Sequence, residues 1–350
     1  MTLLEQTLLE IRPVDAGWIA AARRRQLELT KPPGSLGRLE EIANRCTAIR
    51  ESFAPLANRA CIVLFAADHG VCAEGVSAYP QVVTAQMVLN FLKGGAAINA
   101  FSRAGNIDLR VVDVGVASPL PITAGLTSRR VAPGTRNFCE EPAMTEDEMN
   151  AALETGIDLA LETAKAGYDL LGFGEMGIGN TTSASAIAAA VTGLPVDQVL
   201  GPGAGADEAC MARKRSAIAR ALALHAGQLE TALGIMRNVG GLEIAGMCGF
   251  CLGAASCRVP TVMDGFIATA AAALAVRLCP AVSDYLFASH LSSERGHRPL
   301  LALIGHQPLY DLEMRLGEGT GAALAITVVR SSVEALTGMA TFASAGVANK

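Results

Sequence analysis

A single carboxylate set among glycines, in Leu316-Gly317-Glu318-Gly319-Thr320-Gly321, opens an alanine-rich run. The glycines let the backbone turn and let a ligand come close, and the alanines that follow favour helix. Two readings fit. Glu318 is a working acid or base on a bare loop, or it complements the helix dipole in the first turn while Thr320 serves as N-cap. A second loop, Gly172-Phe-Gly-Glu175-Met176-Gly177-Ile178-Gly179-Asn180-Thr181-Thr182-Ser183, leads from an apolar run into another alanine-rich stretch. Close backbone approach, side-chain donors at 180–183 and the N–H groups of a helix start together outline an anion site. The alternative is a tight turn with a helix cap. No Gly-Lys-Ser/Thr follows, so this is not a P-loop. Gly172-x-Gly174-x-x-Gly177 matches a dinucleotide fingerprint by letter, but no acid follows a strand about 20 residues on.

Other polar positions are open to more than one role. Gly201-Pro-Gly203-Ala-Gly205-Ala-Asp207 is a turn before a helix that carries Lys214, which is either a cation for a phosphate or a solvated base beside Arg213 and Arg215. Asn238-Val-Gly240-Gly241-Leu-Glu243 is a helix start or a ligand contact. His69 either forms a buried, loop-shaping pair with Asp68 or does acid-base chemistry. Asp68, His69 and Glu74 would need a further ligand to hold a metal, and none is expected. His290 lacks the Gly-x-Ser-x-Gly elbow of a hydrolase triad. Cys248-x-x-Cys251 has metal or redox spacing, yet no second Cys or Cys/His pair accompanies it, and buried free Cys ordinarily packs as a small hydrophobe.

These side chains need a scaffold, and the hydrophobic pattern supplies one. Residues 7–11, 16–29 and 39–53 read as helices, with prolines breaking the chain at Lys31-Pro-Pro. From residue 60 short apolar runs at 61–67, 109–115, 168–175, 259–265 and 284–290 end in Asp, Glu or His beside Gly or Ser, as buried parallel strands do. Helical windows at 82–93, 145–166, 183–192, 207–222, 265–278 and 321–336 alternate with them. The expectation is an α/β fold, a Rossmann-like, mostly parallel sheet flanked by helices. Residues 1–55 and about 330–350 are expected to pack as a small helical domain beside an α/β catalytic domain at 56–329. Ligands on such sheets bind outside the carboxyl ends of the strands.

Composition narrows the function classes. The 350 residues carry a net charge of −5 and only scattered bases, which argues against nucleic acid as a partner. Apolar residues make up 51%, with alanine the commonest, in runs too short for the roughly 20 residues of a membrane span. That surplus suggests buried helices and a surface covered by a second subunit. Nine cysteines in apolar contexts suit reduced thiols, and with no export signal at the start a cytoplasmic location is expected.

Lys31-Pro-Pro-Gly-Ser-Leu-Gly-Arg-Leu-Glu, Ala67-Asp-His-Gly-Val, Gly75-Val-Ser-Ala-Tyr-Pro, Gly174-Glu-Met-Gly-Ile-Gly-Asn-Thr-Thr, Asp264-Gly and Leu316-Gly-Glu-Gly-Thr-Gly-Ala run in order along nearly the whole chain. Together they resemble the nicotinate-nucleotide:5,6-dimethylbenzimidazole phosphoribosyltransferases of cobalamin lower-ligand synthesis. The resemblance implies a homodimer without cofactor or metal. Its substrates would be nicotinate mononucleotide and 5,6-dimethylbenzimidazole, and its products nicotinate and α-ribazole 5′-phosphate, with inversion at the anomeric carbon. It implies Glu318 as general base. It implies Glu175, Met176, Gly177, Ile178, Gly179, Asn180, Thr181, Thr182, Gly203 and Lys214 around the ribose and phosphate. Tyr79, Pro80, Gln81, Gln86, Met87 and Leu316 would line the benzimidazole slot. A nicotinamide-dependent oxidoreductase would lack its ribose-binding acid here, and a non-catalytic nucleotide-binding protein would have no use for Glu318.

Overall fold

A computed structural model describes residues 1–54, 59–203 and 205–348. The expected domain boundary at 55/56, and Ala204 in the 201–207 turn, lie outside the described residues. Six strands form one sheet: β1 (Ala60–Ala67), β2 (Asp108–Gly115), β3 (Leu126–Ser128), β4 (Leu170–Met176), β5 (Thr261–Met263) and β6 (Leu286–Ala288). All pairings are parallel, and the strand order is β3-β2-β1-β4-β5-β6. This is the doubly wound order in which the chain leaves β1 toward one edge and returns on its other side at β4. Every residue of β1 is buried, which is why its sequence is a continuous apolar run. The five expected strands are present, with β5 and β6 trimmed to three residues each. The short β3 is not among the expected strands, since three half-exposed residues carry no periodic signal.

Helices α1 (Leu3–Glu10), α2 (Ala16–Glu28) and α3 (Arg38–Arg50) precede the sheet. Between β1 and β2 lie α4 (Val82–Leu92) and α5 (Ala97–Gly105), and α6 (Glu146–Lys165) leads into β4. The long connection from β4 to β5 holds α7 (Asn180–Thr192), α8 (Val196–Val199), α9 (Glu208–Leu224), α10 (Ala232–Val239) and α11 (Leu242–Ser256). After β5 come α12 (Phe266–Leu278), α13 (His297–Leu303), α14 (Thr320–Gly338) and α15 (Phe342–Ala345). Local chemistry sets several starts. Thr2 with Glu5 and Thr145 with Glu148 form capping boxes, and Asp15, Asp207 and Thr231 accept first-turn amides.

Helix α11 covers one face of the sheet, where Phe250 meets Phe65 and Phe173 edge-on at 5.7 and 6.1 Å. Helix α14 covers the other, with Ala322 and Ile326 against Gly172 of β4. A smaller cluster of Ala22, Leu29, Ala43 and Leu336 joins α2, α3 and the end of α14, while Ile42, Cys46 and Ile49 of the same α3 belong to the main core. Among the described residues no helix is long and apolar enough to cross a membrane.

Helix α11 begins at the 238–243 turn, where a helix start is one of two readings, but its extent is not among the expected helical windows, because it is buried on all sides and so shows no amphipathic period. Its Gly246, Gly249 and Gly253 bring it against α6 backbone to backbone. A methyl group at Gly156 of α6 would fall on the carbonyl of Gly246, and one at Gly249 on that of Leu153. Cys248 and Cys251 lie inside this contact, fully buried, and burial pushes both thiols up. Gly156→Ala is expected to cost about 1–3 kcal/mol of overpacking, read as a lower urea midpoint with the slope unchanged. An unmoved midpoint would show that the two helices separate freely.

Candidate active site

The strand order reverses between β1 and β4, and the crevice outside their carboxyl ends is the place such sheets bind ligands. A cavity of about 400 Å³ opens there. Its walls come from the loop after β1, the end of β4 with the start of α7, the 203–214 region, the loop after β5, and the segment before α14.

Glu318 enters this cavity from an unusual backbone. Gly317, Glu318 and Gly319 are three consecutive left-handed residues, with φ of 84°, 64° and 89°. Such a conformation costs a non-glycine residue roughly 1 kcal/mol or more and needs outside support. Asp264, at the end of β5, provides it. Its Oδ2 accepts the Gly319 N–H at 2.9 Å, and its Oδ1 accepts those of Gly321 and Ala322 at 2.8 and 3.1 Å. The helix is therefore capped from another strand. Gly319 is its N-cap, and Thr320 instead donates its hydroxyl to the Gly317 carbonyl at 2.8 Å. Glycine at 174 lets the loop lie directly on β4, since a side chain there would strike the Gly319 backbone. Glu318 is 7% exposed, and its Oε2 is buried without a hydrogen-bond partner.

Beside it stands Glu175, on β4 itself, with Asn180 donating to its carboxylate. Helix α7 starts on Gly179, which has φ of 95° and makes no side-chain cap. The 180–183 side chains thus do not form the anticipated cap. The N–H groups of Asn180 and Thr182 turn back to the Gly177 and Gly179 carbonyls, and that of Ile178 goes to Thr84 Oγ1 at 3.1 Å, so these three amides are engaged within the protein. Lys214 is not on a solvated face. It is 1% exposed, and its Nζ donates to Thr181 Oγ1 at 3.0 Å and to the Gly201 carbonyl at 3.1 Å. Glu294 accepts the Gly203 N–H at 2.8 Å and its charge offsets part of what burial takes from the lysine, whose pKa is lowered.

Burial and mutual repulsion dominate the electrostatics. Desolvation, followed by the charges of Asp264 and Glu243, pushes the Glu175 carboxyl up to about 8. Glu318 is raised as well, by desolvation first and Asp264 in addition, against a backbone hydrogen bond from Ile98 near the start of α5. Asp264 is itself raised by burial, although His290 and the amides it accepts hold it back. Two carboxyls of elevated proton affinity and one buried ammonium thus line the same cavity. Such a site can take a proton from a ligand and can bind an anion.

The cavity brings together Glu318, Glu175, Met176, Gly177, Ile178, Gly179, Asn180, Thr181, Gly203, Lys214, Tyr79, Met87 and Leu316. Four expected site residues stand outside its walls. Thr182 is buried in α7 behind the loop, and Gln86 points to solvent from α4. Pro80 and Gln81 line an adjoining, more open depression that shares Ser77, Ala78 and Tyr79 with the cavity, and Gln81 Nε2 donates there to the His69 carbonyl at 3.3 Å. His69 is buried, but its partner is Glu243 rather than Asp68, with Nε2 and Oε1 2.7 Å apart. Asp68 instead accepts the Ala117 N–H at 2.8 Å. Among the described residues no cluster of His, Cys, Asp and Glu suits a metal ion. Phe266, His290 and Arg315 also line the cavity. An acid and a histidine at the ends of the β5 and β6 runs were the available signal for Asp264 and His290.

The sequence profile of the Phosphoribosyltransferase family matches residues 11–347. Nicotinate-nucleotide--dimethylbenzimidazole phosphoribosyltransferase of Chloroflexus aggregans is 51% identical over 350 residues, covering 100% of this chain and 99% of that one. The protein of the same name from Geobacter metallireducens is 52% identical over 347 residues, covering 99% and 98%. A crystal structure of the Thermus thermophilus enzyme of that name superposes with a TM-score of 0.90 at 49% identity, over 96% of this chain and 100% of that one.

The elevated Glu175 carboxyl has a consequence for stability. Between the ordinary carboxylate range and about 8 the folded protein keeps a proton that the unfolded chain has released. This term therefore lowers stability as pH rises, by up to about 1.4 kcal/mol per pH unit. Glu175→Gln removes it, so the urea midpoints of parent and variant are expected to diverge in the variant's favour from about pH 5 to about pH 8. Parallel curves would mean that Glu175 ionises in the usual range.

Proposed function

The chain belongs to the phosphoribosyltransferase family, and from that premise we propose that it transfers the 5-phosphoribosyl group of nicotinate mononucleotide to 5,6-dimethylbenzimidazole, giving α-ribazole 5′-phosphate and nicotinate. The observation that carries this reading is Glu318, a buried carboxylate with an oxygen unpartnered among the described residues, on the wall of a cavity also lined by a buried lysine and a second glycine loop. The names of the similar proteins support the substrates.

In this mechanism Glu318 accepts the N–H proton of the benzimidazole, and the lone pair of the other ring nitrogen forms a bond to the anomeric carbon. The bond from that carbon to the pyridinium nitrogen breaks, its electron pair stays on nicotinate, and attack from the opposite face inverts the centre. The leaving group is already cationic, so the reaction needs positioning and a base more than Lewis-acid help. Met87, Tyr79 and Leu316 would wall the flat base, an arrangement suited to an aromatic ligand. The 175–181 loop, Gly203 and Lys214 would hold the ribose and the 5′-phosphate. The reading includes a homodimer, whose second subunit would cover Tyr79, Val82 and Leu316, which are 51%, 47% and 58% exposed. A monomer in sedimentation at assay concentration would remove that part.

Purified protein given both substrates should release nicotinate, and silence in that assay would overturn the assignment. Glu318→Gln is expected to lower kcat about 10²–10⁴-fold, the usual worth of a general base, with nucleotide KM little changed. Because the base must be ionised and its pKa is raised, the parent's rate should climb with pH through a limb above the ordinary carboxylate range. Lys214→Ala is expected to raise nucleotide KM while leaving that limb in place; an unaltered KM would separate it from the phosphate.

A further inference from the structure

Three glycines from two loops close on one buried ion pair. A side chain at Gly177 would come within 3.4 Å of both His69 Cδ2 and Glu243 Oε1, and one at Gly179 within 3.4 Å of His69 Cβ. At Gly241, which opens α11, it would come within 3.0 Å of His69 Nε2. The groups added at Gly177 and Gly179 would first meet the Ala67 carbonyl at 2.5 Å and the Cys72 sulfur at 2.7 Å, so the 177–179 loop lies over β1 and Cys72 with His69 packed beside them in van der Waals contact. Ile178, between the two glycines, is pinned from the same side: Thr84 Oγ1 accepts its N–H, and the Cys72 thiol donates to its carbonyl, each at 3.1 Å. His69 and Glu243 are wholly buried and absent from the cavity walls, so neither touches a ligand there. His69 Nδ1 and Glu243 Oε2 make no other hydrogen bond, which leaves the 2.7 Å contact as the bond that holds the ring in place.

We propose that the His69–Glu243 pair is a positioning platform for the 177–179 loop, setting the affinity for the nucleotide's phosphate from beneath without contacting it. The inference rests on the reading that this loop takes the phosphate. Ring and carboxylate pack beside Gly177, and the His69 Cβ packs beside Gly179. Removing the ring leaves a void into which the loop relaxes, and also strands a buried carboxylate. The loss should fall on nucleotide binding, because Glu318 is held by separate bonds from Asp264.

The test is initial-rate kinetics on the full chain with both substrates varied. His69→Ala should raise nucleotide KM about tenfold while kcat and the benzimidazole KM stay within about threefold. His69→Gln, which can donate to Glu243 again, should recover most of the nucleotide KM. An unchanged nucleotide KM, a fall in kcat alone, or a glutamine variant no better than alanine would overturn the proposal. If His69→Ala does not fold, Glu243→Gln against Glu243→Leu decides it: the amide should keep the parental KM, and leucine should raise it. Calorimetric titration of the parent and of His69→Ala, or of Glu243→Leu in its place, with inorganic phosphate separates the two readings. A parent that binds phosphate but releases no nicotinate would undo the transfer reaction, whereas an active parent whose His69 and Glu243 variants all bind phosphate alike would undo the platform.

Discussion

Everything at the catalytic end of this molecule hangs on one carboxylate accepting three amides. Asp264 stands at the end of β5, a strand of only three residues, and receives the N–H groups of Gly319, Gly321 and Ala322. A helix of nineteen residues is thereby tied to the sheet by its first turn. The tie holds Glu318, between two glycines that adopt positive φ freely, in a left-handed conformation that costs it energy. Burial raises the proton affinity of Glu318 and Glu175, and the charge of the same Asp264 adds to it. The residue that fixes the geometry thus also contributes to the acidity.

The excess of small residues has a structural explanation. A sheet covered on both faces needs helices that approach closely, and α11 meets α6 with glycine on both sides of the contact. The alanines of α7, α12 and α14 do the same work elsewhere: Ala184, Ala186, Ala188, Ala270, Ala271 and Ala322 are fully buried. Thin helices bring the ends of α7 and α14 near each other, and each begins on a left-handed glycine. Two glycine loops distant in sequence thus become adjoining walls of one cavity.

Much of this was legible in the chain itself. The main strands show as short continuous apolar runs because both their faces are buried, and the helical windows show hydrophobic period, which exists wherever a helix has one buried face. It fails for α11, buried all round, and for β3, too short to have a period. The chemistry divides along a similar line. Glu318 and the 175–181 loop announce themselves through their own neighbours in sequence. The roles of Asp264 and Glu243 depend on partners far along the chain: 55 residues separate Asp264 from Gly319, and 174 separate His69 from Glu243. Lys214 is the instructive middle case, since Arg213 and Arg215 flank it in sequence while the helix turns it alone inward. Gln86, one position from the wall residue Met87, faces solvent for the same reason.

The gathering of Glu175, Glu243, Asp264 and Glu318 behind one cavity bears on how an anion is admitted at all. Fully ionised, such a wall would repel an incoming phosphate or carboxylate. A carboxyl that keeps its proton near neutrality, as Glu175 does, hides part of that charge, so the cavity presents a milder field than its composition implies. Alkaline solution strips the disguise. Anion capture and proton occupancy are then linked quantities: the heat of nucleotide binding should carry a contribution from the buffer, as protons move between solvent and the acidic wall.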